Sequence, residues 1–517
     1  MQAPQPSIPG TRDFAGFDAV ALQTARDAIE AALRRYAYAA INPPILESPT
    51  PFLSRSGEDI RRQMYIFPDP GGREVCLRPE LTIPVCRAYL RQLQGAAGVK
   101  GPEREARLSY FGPAFAYEST TEGRYRQFYQ AGAEFIGAQA REAADAEILA
   151  AALDCLEAAG LADTAIEVAD VDIRNAFIDN LPISERSKTR IRRMTLHHQK
   201  EPRNAAPASG QNSAGAEAPI EFGELGSLLA SVEPGKAERL IREVFALADV
   251  RHVGGRTPEE IVERLTSRSV QQDEPISAEL VQAVMALLNI RAEPEAAFKA
   301  IREHFRKFRI ASIEPILERC ATRLRYFGAY RRSPPSLQFN VGLRRGLEYY
   351  TGLLFEVSAK NATQIGHVCG GGRYDNLLEG LGAGASIPAV GFGIGLDRLL
   401  LALQKGPAAV AGAMPVPQAL IVAVREEGTE DCIGAGTVLR EAGWSVEISP
   451  SQRDEKSALS DAAKRKIPYV IFVGEKSGKD QVRICRLADR AEQRLPISAL
   501  PGFAKDEHAR GAQGKKP

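Results

Sequence analysis

Apolar positions recur at helical spacing over residues 16–36 (GFDAVALQTARDAIEAALRRY), with arginines late in the segment, where cations meet the negative end of a helix dipole. This predicts a long amphipathic helix. INPPILESP reads as a short strand broken by Pro43 and Pro44, and MYIFPDPGGREVCLRPE as two strands joined by a Pro-Gly turn. Residues 81–93 return to a helical period, with Pro84 tolerated because it falls in the first turn. ARLSYFGPAFAYES and RYRQFYQAGAEFIGA alternate as paired strands of one antiparallel sheet, with a turn at residues 120–123 between them, and residues 145–157 form a helix. Residues 220–325 are mostly helical in pattern, and strand signals return at SLQFNVGL and YTGLLFEVSA. Beyond a break at residues 405–416, ALIVAV, SVEISP, YVIFVG and QVRICRL alternate with helical stretches at 431–442 and 455–465, a βαβ rhythm.

The 517 residues suit several domains of roughly 150 residues each. The pattern divides them into a mixed core over 1–205, a helical insertion over 206–325, the second part of the core over 326–405, a small α/β domain over 417–500 and a disordered tail over 501–517. A small, polar stretch at 203–219 reads as a flexible loop. Lys and Arg number 66 against 65 Asp and Glu, which excludes attraction to nucleic acid by bulk charge and leaves room for a local basic face. The seven cysteines are widely spaced with no C-x-x-C pair, so neither a disulfide framework nor a zinc ribbon is expected, and a reducing, cytoplasmic setting is. None of the six histidines lies in an H-E-x-x-H pattern, so no metal site is expected. No signal peptide or apolar run of membrane-spanning length is read, and no membrane partner is expected.

Four segments cluster polar groups among apolar strand positions: residues 77–82, 124–134, 344–352, and 369–375 with 391–398. Period two places Gln130 and Glu134 on one strand face, an amide and a carboxylate suited to an amine. Glu80 adds a second carboxylate, and Arg345, Tyr349 and Tyr350 add a cation and two hydroxyls. A zwitterion with a polar side chain, such as an amino acid, matches this set; the plain alternative is solvated charges and core tyrosines. The triple glycine at 370–372 suits a close backbone approach or a tight bend. GFGIGLDRL lacks the dinucleotide spacing, and Arg398 near a helix start suits a phosphate, a carboxylate or a structural ion pair. His367 and Cys369 have no visible orienting partner, so nucleophilic catalysis is not expected. The basic run RIRRMTLHHQK reads as a solvated helix face, with nucleic-acid contact as the lesser reading.

PGTRDF, LRPELT, GRYRQFYQAGAE, RRGLEYYTG, CGGGRYD and VGFGIGLDRL, in this order, resemble the histidyl-tRNA synthetases and their paralogue, the regulatory subunit of ATP phosphoribosyltransferase. The resemblance runs from about residue 9 to 405 outside the insertion. It implies an α+β fold: a class II aminoacyl-tRNA synthetase-like antiparallel sheet with flanking helices, usually a homodimer, with a C-terminal domain resembling an anticodon-binding domain. It implies histidine binding at Glu80, Thr82, Gln130, Glu134, Arg345, Tyr349 and Tyr350, with Glu348 in place of the more usual Asp. On the ATP side the family's F-R-x-E-R is replaced by Phe115–Ala116–Tyr117–Glu118–Ser119, without either arginine, while Glu118 and the later Arg398 remain. The segments FLSRSGEDIRRQMYIF, VADVDIRNAFIDNL and VGGRTPEEIVERL look more like the regulatory subunit. The expectation is therefore a non-catalytic, histidine-binding regulatory subunit, without cofactor, whose partner is the catalytic ATP phosphoribosyltransferase subunit and whose role is allosteric tuning of histidine biosynthesis. The alternative is a histidine–tRNA ligase that activates histidine with ATP and Mg²⁺ and charges tRNA.

Overall fold

A computed structural model describes residues 7–53, 57–95, 105–118, 120–197, 276–310, 313–331, 336–345, 349–405, 416–425, 428–449, 453–474 and 480–513. The chain forms two compact units, Met1–Ala411 and Gly412–Pro517.

The first unit is built on a nine-stranded sheet. Across it the order is Ala39–Ala40, Ala106–Phe115, Gln127–Ile136, Ala389–Gly395, His367–Arg373, Leu353–Ala359, Thr164–Asp170, Leu337–Asn340 and Arg291–Ala292. The six strands from Ala106–Phe115 to Thr164–Asp170 pair antiparallel throughout. The α+β class with an antiparallel-rich sheet is as expected from the alternating segments. One face is covered by the helix Arg141–Ala158, which is buried nearly all round through Ile148, Leu149, Ala152 and Leu156. A helix apolar on every side belongs inside a domain, and this one packs between the sheet, the helix Phe17–Arg35 and the helix Glu314–Tyr330.

Its one fully buried charge, Asp145, ties three elements together. Asp145 Oδ2 accepts from Arg323 Nε at 2.7 Å and Oδ1 accepts from Arg373 Nε at 2.8 Å. Arg323 also reaches Asp170 at 3.1 Å, and Arg373 reaches Asp375 at 2.9 Å. Two cations against three carboxylates, all buried and hydrogen-bonded, meet the condition under which interior charge is tolerated.

The helices Ala278–Leu288, Pro294–Lys307 and Glu314–Tyr330 share the core of the sheet through Leu287, Ile301, Leu317 and Phe327. The described part of the helical insertion expected over 206–325 is thus not a body of its own. Residues 206–275, with the loop expected at 203–219, lie outside the described residues.

The second unit has a five-stranded sheet in the order Val446–Ser449, Ala419–Ala423, Tyr469–Val473, Gln481–Arg486, Glu492–Pro496. The first three strands are parallel, linked by the helices Thr429–Glu441 and Glu455–Lys464, and the last two turn back antiparallel. The disordered tail expected over 501–517 is corrected: the helix Leu500–Gln513 stands there. Its polar composition hides an apolar stripe, with Leu500 and Ala504 buried, Phe503 stacked near Trp444, and Ala504 O accepting from Trp444 Nε1 at 3.2 Å. Among the described residues no helix is long and apolar enough to cross a membrane.

Candidate functional site

The site lies on the centre of the large sheet, where the pairing register places a row of residues on one face. Tyr110, Gly132, Gly393, Gly370 and Glu356 are successive partners across five strands. Directly beside this row, Glu134 is paired with Gly391. The glycines form a floor on which long polar side chains lie flat. A Cβ at Gly370 would fall 1.2 Å from Arg345 Nη1, and one at Gly391 would fall 1.5 Å from Glu134 Oε2. The close backbone approach expected of the triple glycine therefore serves a guanidinium, and a glycine in the next strand serves a carboxylate.

At one end lies an acidic cluster. Glu80 caps the helix Thr82–Gly95, accepting from Thr82 N at 2.6 Å and Ile83 N at 2.8 Å, a use of a carboxylate at a helix N-terminus. Glu134 is fully buried, accepts from the Tyr374 hydroxyl, and has Tyr110 and Thr82 beside it. Burial, opposed by the Ile83 and Thr82 amides, pushes Glu80 up to about 7. Burial likewise pushes Glu134 up to about 8, with the hydroxyls of Tyr374 and Thr82 acting against it and Glu80 adding to it. Tyr349 is buried in the same cluster, next to Thr82, and the Tyr350 ring lies tilted against it at 4.8 Å between centroids.

At the other end lie cations. Arg345, Arg398 and Arg124 line one cleft of about 270 Å³, together with Glu80, Gln130, Glu118 and His367. Arg398 Nη1 donates to the His367 carbonyl at 3.1 Å. Its neighbour Asp397 also lines the cleft and is bonded by Arg12 Nη2 and Tyr129 N, both at 2.9 Å. Burial, then the charge of Arg124, lowers the Arg398 pKa.

Glu80, Gln130, Arg345, Glu118 and Arg398 thus line the cleft, while Thr82, Glu134, Tyr349 and Tyr350 form the buried cluster at its acidic end. Sequence reasoning did not assign Tyr110, Tyr374, Arg124, His367 or Glu356 to the site. Only the sheet pairing brings the last of these to Arg345. Among the described residues, Gln130 Oε1, Glu134 Oε1 and Arg345 Nε and Nη1 are buried with no hydrogen-bond partner. Unpaired buried polar atoms of both signs along one cleft mark a surface shaped for a ligand that completes them.

Residues 10–214 and 243–399 match the family model "Histidyl-tRNA synthetase", and residues 418–507 match "Anticodon binding domain". The histidine–tRNA ligase of Methanocaldococcus jannaschii is 30% identical over 495 residues, covering 96% of this chain and 98% of the relative. The crystal structure of histidyl-tRNA synthetase from Nostoc sp. PCC 7120 superposes with a TM-score of 0.64 at 17% identity, covering 98% of this chain and all of that one. A Bacillus halodurans structure titled ATP phosphoribosyltransferase regulatory subunit/histidyl-tRNA synthetase superposes with a TM-score of 0.59 at 19% identity, covering 89% of this chain and 97% of that one; such likenesses speak to the fold.

These findings overturn the expectation of a regulatory subunit tuning histidine biosynthesis beside a catalytic ATP phosphoribosyltransferase. The relative that spans both units of the chain is named a histidine–tRNA ligase. The regulatory expectation leans on the two arginines missing from residues 115–119 and on three segments that look like the regulatory subunit, whereas the cleft keeps Arg124, Arg345 and Arg398. The chain belongs to the histidyl-tRNA synthetase family, with a class II synthetase-like core followed by an anticodon-binding domain.

Proposed function

We propose that this chain is a histidine–tRNA ligase: the cleft joins histidine to ATP as an adenylate, and the histidyl group then passes to tRNA. The observation that carries the reading is the polarity of the cleft, acidic at Glu80 and Glu134 and cationic at Arg345, Arg398 and Arg124. The ammonium of histidine is met by the carboxyl groups and by Gln130 Oε1, and the polyphosphate by the guanidiniums. A histidine carboxylate oxygen attacks the α-phosphorus, a new O–P bond forms, the bond to the bridging oxygen breaks, and pyrophosphate leaves with the electron pair. Negative charge grows on the α-phosphate oxygens, and a guanidinium already lying in the cleft with free donors stabilises it. Arg345 Nε and Nη1 are such donors. Mg²⁺ arrives with the nucleotide, bound mainly to phosphate oxygens and water as this ion prefers. The relatives' name and the anticodon-binding unit support tRNA as the final acceptor.

Ala116 lines the cleft and offers no donor. Removing one preorganised donor of this kind costs about a hundred- to a thousandfold in rate, so the chain works below the ceiling its fold allows. The purified protein is expected to show histidine-dependent ATP–pyrophosphate exchange, and Ala116→Arg is expected to raise it by about tenfold, part of what one donor is worth. Charging of tRNA with labelled histidine tests the second step. Absence of histidine-dependent exchange in both proteins would end the reading.

A further inference from the structure

We infer that His367 is a positioning residue for Arg398, held as a neutral ring between that guanidinium and Glu356 so that the arginine meets the nucleotide phosphates in one orientation. The inference rests on the adenylate-forming reading above and adds to it a residue outside the predicted set.

The distances fix the roles. Arg398 Nη1 lies 3.1 Å from His367 Nε2 and 3.1 Å from the His367 carbonyl oxygen. A guanidinium carries donors and no acceptor, so the ring contact is a hydrogen bond only when Nε2 presents its lone pair. The ring proton then sits on Nδ1, which faces Glu356 Oε1 at 3.4 Å. The same carboxylate oxygen stands 3.8 Å from Arg345 Nη1. Glu356 is thus linked to one guanidinium directly and to the other through the imidazole.

The fold builds this arrangement. Glu356 is paired with Gly370, whose missing side chain leaves Arg345 its place. A register shift between Val357 and Ser358 falls where the pairing reaches His367. The charged groups around the ring come from four elements: Glu356 from the neighbouring strand, Arg345 from the loop before it, Arg398 from the helix Leu396–Gln404, and Arg124 from the turn opposite. Burial, followed by the charges of Arg345, Arg398 and Arg124, holds His367 well below its usual pKa. Both of Arg398's hydrogen-bond partners among the described residues, the ring and the carbonyl, are neutral acceptors. Its charge is therefore left for a ligand in the cleft it lines.

The test uses the whole protein with labelled histidine rings. The His367 signals, identified by their loss in His367→Gln, are expected to show Nδ1 protonated and Nε2 unprotonated at neutral pH. An imidazolium, or the Nε2–H tautomer, overturns the inference. In exchange kinetics, His367→Ala is expected to raise the KM for ATP about tenfold, the scale of one hydrogen bond to a charged group, while the KM for histidine and kcat stay within about twofold. His367→Gln, whose amide oxygen accepts where Nε2 does, is expected to recover most of the loss. Equal losses for both substrates, or no recovery with Gln, overturn it as well. If neither the unmodified protein nor Ala116→Arg shows histidine-dependent exchange, the ligase reading fails, and the tautomer together with calorimetric titration of ATP still decides the role of His367.

Discussion

Gly370→Ala is expected to lower histidine-dependent ATP–pyrophosphate exchange by about a hundred- to a thousandfold, as far as Arg345→Ala does, because both remove the same transition-state donor. The added methyl would sit 1.2 Å from Arg345 Nη1 and 2.4 Å from its guanidinium carbon, closer than any contact allows, so the guanidinium must leave the floor of the cleft. The side chain is flexible and its neighbours here are few: Nε and Nη1 have no hydrogen-bond partner, and the nearest carboxylate oxygen is 3.8 Å away. The strand accommodates alanine at the level of the backbone, since Gly370 is not among the glycines with positive φ. The fold should therefore survive, with thermal unfolding close to that of the unmodified protein. Substitutions that act on one interaction are not additive. The double variant should be no slower than either single one, and a multiplied loss in the double variant would show that Gly370 acts through something other than Arg345.

Much of this site was legible from local pattern. The period-two alternation of GRYRQFYQAGAE places Gln130 and Glu134 on one face, and the structure puts Gln130 on the cleft and Glu134 in the cluster at its acidic end. The helix over 145–157 is also plain from local sequence and lies within the observed Arg141–Ala158. What local pattern cannot supply is pairing between distant strands. Glu356 reads as an ordinary polar position in YTGLLFEVSA, and only its register with Gly370 makes it a neighbour of Arg345 and His367. Tyr110 and Tyr374 are buried, and their hydroxyls gain meaning from the buried Glu134 that they touch. Ala116 misled in the other direction. The two arginines absent from residues 115–119, with segments that look like the regulatory subunit, suggested an absent activity, although Arg345 and Arg398, far away in sequence, line the same cleft as Ala116. The tail helix Leu500–Gln513 was hidden by its polar majority, since Leu500, Phe503 and Ala504 are few and only Trp444 and its neighbours explain them.

The buried carboxyls make the protein's stability fall as pH rises, and Glu134→Gln should remove most of that fall. In the unfolded chain both groups titrate near 4.5, whereas folding moves Glu80 to about 7 and Glu134 to about 8. The folded state therefore binds protons more tightly. The contribution of these groups to stability is complete below about pH 4.5 and is lost as pH rises through about 7 and 8. One pKa unit is about 1.4 kcal/mol, so the loss is on the order of a few kcal/mol for the coupled pair. The amide of Glu134→Gln does not titrate and keeps the shape of the site. Its thermal midpoint should exceed that of the unmodified protein at about pH 9 and approach it at about pH 4.5, and parallel curves would mean that Glu134 does not carry the effect. The ligand reverses the balance. An ammonium placed against the pair favours the ionised form, so histidine binding at neutral pH should release protons. Calorimetry in buffers of differing ionisation enthalpy measures that release. Glu134→Gln should abolish most of it and weaken histidine binding by about ten- to a hundredfold, the scale of a lost hydrogen bond to a charged group. Unchanged affinity with unchanged proton release would place the ammonium elsewhere, and with it the acidic end of the cleft would lose its assignment.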